Sequence, residues 1–197
     1  MEIATPEAFA RDPGLVYRFY NARSAQLKEV EPNDAHRALA RLQDEHPRQV
    51  FLITQNVDDL HERGGSRQVC HMHGSLRDTL CQRCGDRATI KAPYDGSSRC
   101  SSCSSTGGLR PDIVWFGEIP YYMDEIGAQL SRCDLFIAIG TSGVVYPAAG
   151  FVQQAMLSGA TTVEVNREVS EVTGLFHEQR QGLATVEVVK LIEELLA

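Results

Sequence analysis

The chain has 197 residues, 43% of them hydrophobic, and a formal net charge of −7 from 19 basic and 26 acidic side chains. That length carries one sizeable core with room for a small appended module, and the composition excludes a disordered chain. The acidic balance argues against binding to nucleic-acid backbone, and no apolar run nears the roughly 20 residues of a membrane helix.

The N-terminus MEIATPEAFARD lacks the basic-then-apolar pattern of a signal peptide, so a cytoplasmic setting is expected. Residues 2–30 read as short helices, with Pro6 behind Thr5 in an N-cap arrangement. Pro32, Asn33 and Asp34 break that stretch and cap a new helix, in which Ala35, Ala38, Leu39 and Leu42 form one apolar stripe. VFLIT (50–54) is a continuous apolar run with the look of a buried parallel strand. DDLHERGG follows as a short helix closed by glycines, and 69–73 reads as another short strand. Residues 77–110 turn to cysteine, arginine, serine and glycine with few large apolar side chains: a loop-rich module without a core of its own. The α/β pattern returns at DIVWFGE (112–118). DLFIAIG (134–140), a helix over 147–157 and TTVEVN (161–166) make a βαβ unit, which predicts a parallel sheet. VEVVKLIEELL closes the chain as an amphipathic helix. The fold class expected is therefore α/β, a Rossmann-like sheet over 34–76 and 112–197, with a helical module over 1–33 and a cysteine module over 77–111.

Cys81-x-x-Cys84 and Cys100-x-x-Cys103 stand fifteen residues apart. Two such knuckles place four thiolates around one tetrahedral ion, and zinc suits an all-sulfur set. Four sulfurs close the site, so its role is structural. The alternatives are two unrelated pairs or a redox dithiol. Cys70 and Cys133 are left over, each beside an expected strand, and need no role.

His71 and His73 precede the first knuckle but are not needed by a saturated ion. His73 ends an apolar segment and is followed by Gly74, which permits close approach; His71 points to the opposite face and reads as structural. Gln55, Asn56 and Asp58 follow a strand directly, where they suit sugar hydroxyls and amides or, equally, helix capping. Gly140-Thr141-Ser142 ends the clearest strand with small residues that expose backbone N–H groups to a phosphate. Asn166 and Glu168 end the next strand, a common place for ribose recognition.

TQNVDDLHERGG, HMHGSL, CQRC…CSSC, RPDIVWFGE, IGTSGVVYPAAG and VEVNRE, in this order, resemble the sirtuins, the NAD-dependent protein-lysine deacylases. The match covers nearly the whole chain from Asn33 onward. The resemblance implies His73 as general base, and Gln55, Asn56, Val57 and Asp58 around the nicotinamide ribose. It implies Gly140, Thr141, Ser142, Asn166, Arg167 and Glu168 on the rest of the dinucleotide, with Ala184 by the adenine. Val114, Trp115, Phe116, Gly117 and Glu118 would pair with the substrate backbone as an added strand. It also implies a zinc ribbon, acyl-lysine proteins or peptides as partners, and a monomer without nucleic acid or membrane. Tyr20 and Arg23 lie three apart on one helix face. They resemble the Tyr-x-x-Arg pair of the sirtuin branch that prefers succinyl- and malonyl-lysine; by themselves they read as a core tyrosine beside an exposed arginine. The family opens with a strand and a Gly-Ala-Gly loop that wraps the dinucleotide phosphates, and no such stretch precedes Met1-Glu2-Ile3. The expectation is thus a sheet without its first strand, weak NAD binding and slow or absent turnover. The rival readings are an inactive remnant that binds acyl-lysine peptides and a plain zinc-ribbon interaction protein.

Overall fold

The computed structural model describes residues 3–197. The chain divides into two compact units. The first comprises the described residues through Glu31, Ile53–Leu60 and Val69–Tyr121; the second comprises Pro32–Leu52, His61–Gln68 and Tyr122–Ala197.

In the first unit, Thr5 caps helix α1 (Pro6–Arg11) by accepting the Ala8 N–H, and Asp12 caps α2 (Pro13–Gln26) by accepting that of Leu15. Pro6 and Pro13 start these helices where the missing N–H costs nothing. The short β1 (Leu52–Thr54) pairs with β2 (Val69–His71) in a two-stranded sheet. VFLIT thus forms a shorter strand than expected, and most of it is only half-buried. The cysteine module is built on three antiparallel strands, β3 (Gly74–Cys81), β4 (Arg87–Thr89) and β5 (Leu109–Ile113), in the order β4-β3-β5. β5 replaces the strand read over 112–118 and stops at Ile113. The module shares a core with the helices: Cys81, Tyr94, Cys100 and Leu109 pack with Phe9, Val16, Tyr17 and Trp115. Polar stitches fix that packing. Tyr17 Oη donates to Leu109 O at 2.7 Å, Asn21 Nδ2 to Tyr94 O at 2.8 Å, and Ser24 Oγ to Leu76 O at 2.9 Å.

The second unit begins with α3 (Asp34–Glu45), capped by Asn33, whose Oδ1 accepts the N–H of Ala35 and of His36. The predicted stripe is the packed one: Ala35, Leu39 and Leu42 meet Val188, Leu191 and Ile192 of α7 (Ala184–Leu196) and Val163 and Val165 of β7 (Thr161–Asn166). β6 (Leu135–Ile139) and β7 pair in parallel, joined by α6 (Phe151–Leu157), as the sequence pattern requires. A strand not foreseen, β8 (Glu178–Gln181), pairs in parallel with β7 and completes the order β6-β7-β8. Between β5 and β6 lies α5 (Met123–Leu130). β7 is buried on both faces, so its polar residues need partners. Thr162 finds His177 and Glu164 finds two hydroxyls. Among the described residues no helix is long and apolar enough to cross a membrane.

Candidate active site

His73 follows β2 by two residues and is held from both sides. Met72 is fully buried; its N–H donates to Thr54 O at 3.2 Å and its carbonyl accepts from Tyr121 N at 2.9 Å. Gly74 has φ +83°, and a Cβ there would fall 2.0 Å from Asp112 O, so only glycine permits β3 to lie against β5 at this point. The His73 Nδ1 lies 3.1 Å from Gln55 O. A carbonyl oxygen only accepts, so Nδ1 carries a proton, and in the neutral ring the lone pair is then on Nε2.

Gln55 is half-buried and Asn56 exposed, directly after β1. Thr54 Oγ1 accepts the Asn56 N–H at 3.0 Å, and Val57 O accepts from Leu76 N at 2.7 Å, which fixes the turn. Asp58 accepts the Leu60 N–H at 3.1 Å. The capping reading of Asp58 is therefore realised at α4 (Leu60–Arg63), with one carboxylate oxygen taken by that bond.

His73 O accepts from Val114 N at 2.9 Å, so the residues 114–118 are tied to the histidine's own peptide. They form a turn, not a strand. Phe116 N donates to Ala4 O, Glu118 N to Trp115 O, and Trp115 N to Glu118 Oε2 at 2.8 Å. The N–H groups of Val114, Trp115, Phe116 and Glu118 are thus taken within the unit. Trp115 is buried, while Phe116 is 64% and Ile119 82% exposed.

The four knuckle cysteines bring their sulfurs within 4.8 Å of one another, with Cys81–Cys103 at 3.8 Å and Cys84–Cys100 at 3.7 Å. A tetrahedron of Zn–S bonds near 2.3 Å has edges of about 3.8 Å. The geometry and the donor set fit one zinc ion. Against the desolvation that burial imposes, the backbone N–H groups of Arg83 and Cys84 draw the Cys81 thiol down to about 6. Cys84, though the Asp86 N–H lowers it, is pushed up by the neighbouring sulfurs of Cys103, Cys81 and Cys100, the mutual repulsion that a bound cation would relieve. His71 and His73 lie outside this cluster.

In the second unit six of the singled-out residues meet in one cleft of about 370 Å³: Gly140, Thr141 and Ser142 after β6, Asn166 at the end of β7, and Arg167 and Glu168 just beyond it. Asn166 Nδ2 donates to Thr141 O at 2.7 Å, Gly140 N to Val165 O at 2.9 Å, and Glu171 N to Ser142 O at 3.1 Å. The opening faces the carboxyl ends of two parallel strands, where open α/β sheets place their ligands. Gly140 has φ +62° and open space where a Cβ would point. A guanidinium, small loop residues and a carboxylate together fit a nucleotide. Ala184 starts α7 and does not line this cleft; the Gly182 N–H, in the same turn, donates to Asn166 O at 2.9 Å.

The Sir2 family model matches residues 1–147. The chain belongs to the Sir2 family. It is 50% identical over 198 residues to an NAD-dependent protein deacylase of Vibrio vulnificus (strain YJ016), a match that covers 100% of this chain and 81% of that protein. A Sir2 homologue solved in complex with NAD superposes with a TM-score of 0.89 at 36% identity, over 99% of this chain and 78% of that one. A Sir2 protein bound to an acetylated peptide gives 0.85 at 29% identity, over 98% and 82%.

Two residues of this Sir2 chain had no signal in the sequence. Glu164 is 3% exposed in β7, where its carboxylate accepts from Ser170 Oγ and Thr173 Oγ1 and so holds the far wall of the nucleotide-sized cleft. Arg110 is 4% exposed in β5 and forks onto Glu118 at 2.6 and 2.8 Å. An acidic residue inside a strand and an arginine beside a zinc knuckle both read as surface until their partners are known.

Tyr20 and Arg23 do share a face of α2. Tyr20 is 5% exposed and its hydroxyl accepts from Trp115 Nε1 at 3.0 Å. Arg23 is exposed, with Gln26 Oε1 at 3.4 Å.

Proposed function

We propose that this chain removes acyl groups from protein lysines with NAD as co-substrate, yielding nicotinamide, O-acyl-ADP-ribose and free lysine, and that it favours succinyl and malonyl over acetyl. The observation that carries the reading is the His73 ring: Nδ1 is spent on Gln55 O, which in the neutral imidazole leaves the Nε2 lone pair as its base.

In the proposed reaction the acyl-lysine carbonyl oxygen attacks the ribose carbon that bears nicotinamide, and nicotinamide leaves. His73 Nε2 then takes the proton of a ribose hydroxyl, whose oxygen attacks the former carbonyl carbon. Addition of water releases the lysine amine and leaves the acyl group on ADP-ribose. The step needs a neutral imidazole, which histidine supplies near neutral pH. The Gln55 carbonyl holds the ring in the required tautomer. Gln55, Asn56, Val57 and Asp58 serve the nicotinamide ribose in this reading. The small Gly140-Thr141-Ser142 loop lets a phosphate approach closely, with the Gly140 N–H itself held by Val165 O; Arg167 adds a guanidinium, and Asn166 and Glu168 take hydroxyls. Ala184 serves the adenine. The zinc ion set by Cys81, Cys84, Cys100 and Cys103 supplies structure only, since four sulfurs leave no open position.

The acyl preference is assigned to Tyr20 and Arg23. Tyr20 accepts one hydrogen bond from Trp115 and keeps its own O–H to donate; Arg23 is an exposed guanidinium three residues on. Together they suit a carboxylate at the end of a short acyl chain. Loss of a charge-assisted bond worth about 1.5–3 kcal/mol should cut the succinyl-over-acetyl preference roughly 10- to 150-fold. Steady-state rates on succinyl- and acetyl-lysine peptides, wild type beside Arg23→Met, measure it. An unchanged ratio would remove the pair from the acyl pocket.

A further inference from the structure

Arg110 lies outside every group assigned above, yet it makes three contacts to the turn that carries Trp115 and a fourth to the end of β5. Its guanidinium forks onto Glu118 at 2.6 and 2.8 Å, donates to Ile113 O at 2.7 Å, and lies 3.5 Å from the centre of the Trp115 ring. Glu118 Oε2 is the atom that also accepts the Trp115 N–H at 2.8 Å, closing the Val114–Glu118 turn from inside. Trp115 in turn reaches Tyr20 through its indole N–H at 3.0 Å. One connected chain of contacts therefore runs from Arg110 through Glu118 and Trp115 to Tyr20.

A buried ion pair is weak ground for stability, because desolvation offsets the attraction, but it fixes geometry. Here it fixes three things: the turn's curvature, the plane of the indole and the direction of the indole N–H. Burial would push the Glu118 carboxyl up, and the Arg110 guanidinium with the Trp115 N–H more than offsets this, holding it below the ordinary carboxylate range. The pair is charged at neutral pH and its fork is bidentate, a geometry lysine cannot reproduce.

We propose that Arg110 is the positioning residue for acyl-lysine: it sets the Val114–Glu118 turn and, through Trp115, orients the Tyr20 hydroxyl that reads the acyl group. The inference rests on the deacylase reading. It assigns Arg110 no contact with substrate. Its loss should weaken acyl-peptide binding and blur the acyl preference, while NAD affinity falls far less.

The test uses calorimetric titration of succinyl-lysine peptide, acetyl-lysine peptide and NAD into the wild type, Arg110→Lys and Arg110→Met. Zinc content and cooperative melting certify the fold, and emission of Trp115, the single tryptophan of the chain, reports the loss of the stack. Losing one arm of the fork should weaken succinyl-peptide binding roughly 10-fold in Arg110→Lys. Arg110→Met should weaken it more, and the succinyl-to-acetyl ratio should fall in both. A folded, zinc-loaded Arg110→Lys variant that binds the peptides as the wild type does would overturn the inference, as would equal losses of peptide and NAD affinity. Should neither Arg110 variant fold, Glu118→Gln breaks the same pair from the other side; unchanged peptide affinity there overturns it equally. A wild type that neither binds acyl peptides nor turns over NAD would remove the deacylase reading itself, and this inference with it.

Discussion

The unit that carries His73 and the unit that carries the nucleotide-sized cleft place their groups by opposite means. In the first, three antiparallel strands share an aromatic-rich core with α1 and α2, and that core is pinned by four cysteines, an ion pair, a glycine at positive φ and side-chain bonds from α2 to the cysteine module. In the second, a parallel sheet packs on α3 and α7 across one face and on α6 across the other, and the ligand-facing residues sit at strand ends on loops tied by backbone bonds. Chemistry that needs one proton and one lone pair at defined atoms is built on the first design. A cleft that binds backbone-deep and broadly is built on the second. The two should break differently: the first all at once when one staple goes, the second by degrees with its core.

The largest effect expected is from the metal. Removal of zinc by a chelator, or Cys100→Ser/Cys103→Ser, deletes a term of about 10–16 kcal/mol in modules of this kind. Cys81 and Cys100 share a core with Trp115, so the near-ultraviolet signal of the single tryptophan should collapse while much of the far-ultraviolet helix signal from α3 and α7 persists. An unchanged tryptophan signal after zinc loss would show that the first unit's core stands without its metal. Next comes Gly74→Ala, whose methyl would meet Asp112 O; a cost of about 3–5 kcal/mol is expected, with zinc still bound and peptide turnover lost. Denaturant titration measures it, and a shift below about 1 kcal/mol would contradict the close approach. Smaller and confined to the second unit is Ile192→Ala, in the α3–α7 core, at about 2–5 kcal/mol with the tryptophan signal unchanged. Concerted loss of that signal in Ile192→Ala would show that the first unit does not stand on its own staples.

Legibility followed the same divide. Thr5 and Asn33 cap helices because their side chains reach the next turn, a local matter, and sequence suffices. The β6–α6–β7 unit, α7 and the cysteine set carry strong patterns: continuous apolar runs, a 3.6-residue stripe and paired thiols. β8 carries none, since Glu178-Gln-Arg-Gln181 is polar and becomes a strand only because β7 offers it an edge. The three-stranded sheet under the cysteines was hidden because its apolar partners are α1 and α2, far off in sequence. Residues 114–118 look like a strand continuing from β5; the Glu118 carboxylate, by taking the Trp115 N–H, turns them instead. Of the site, the residue types at strand ends were readable. The partners that orient them, Glu164 and Arg110, were not, because burial of a charged residue is a fact of packing rather than of pattern.

His73, in the tautomer set by Gln55, is the proposed base of the NAD-dependent deacylation. The direct measurement is nicotinamide release from NAD in the presence of a succinyl-lysine peptide, for the wild type, His73→Ala and His71→Ala. The wild type should release nicotinamide and free lysine. His73→Ala should lose roughly 100- to 10,000-fold of the deacylation rate, the usual worth of a positioned general base, and His71→Ala should lose stability more than rate. Equal deacylation by the wild type and a folded His73→Ala would contradict the account.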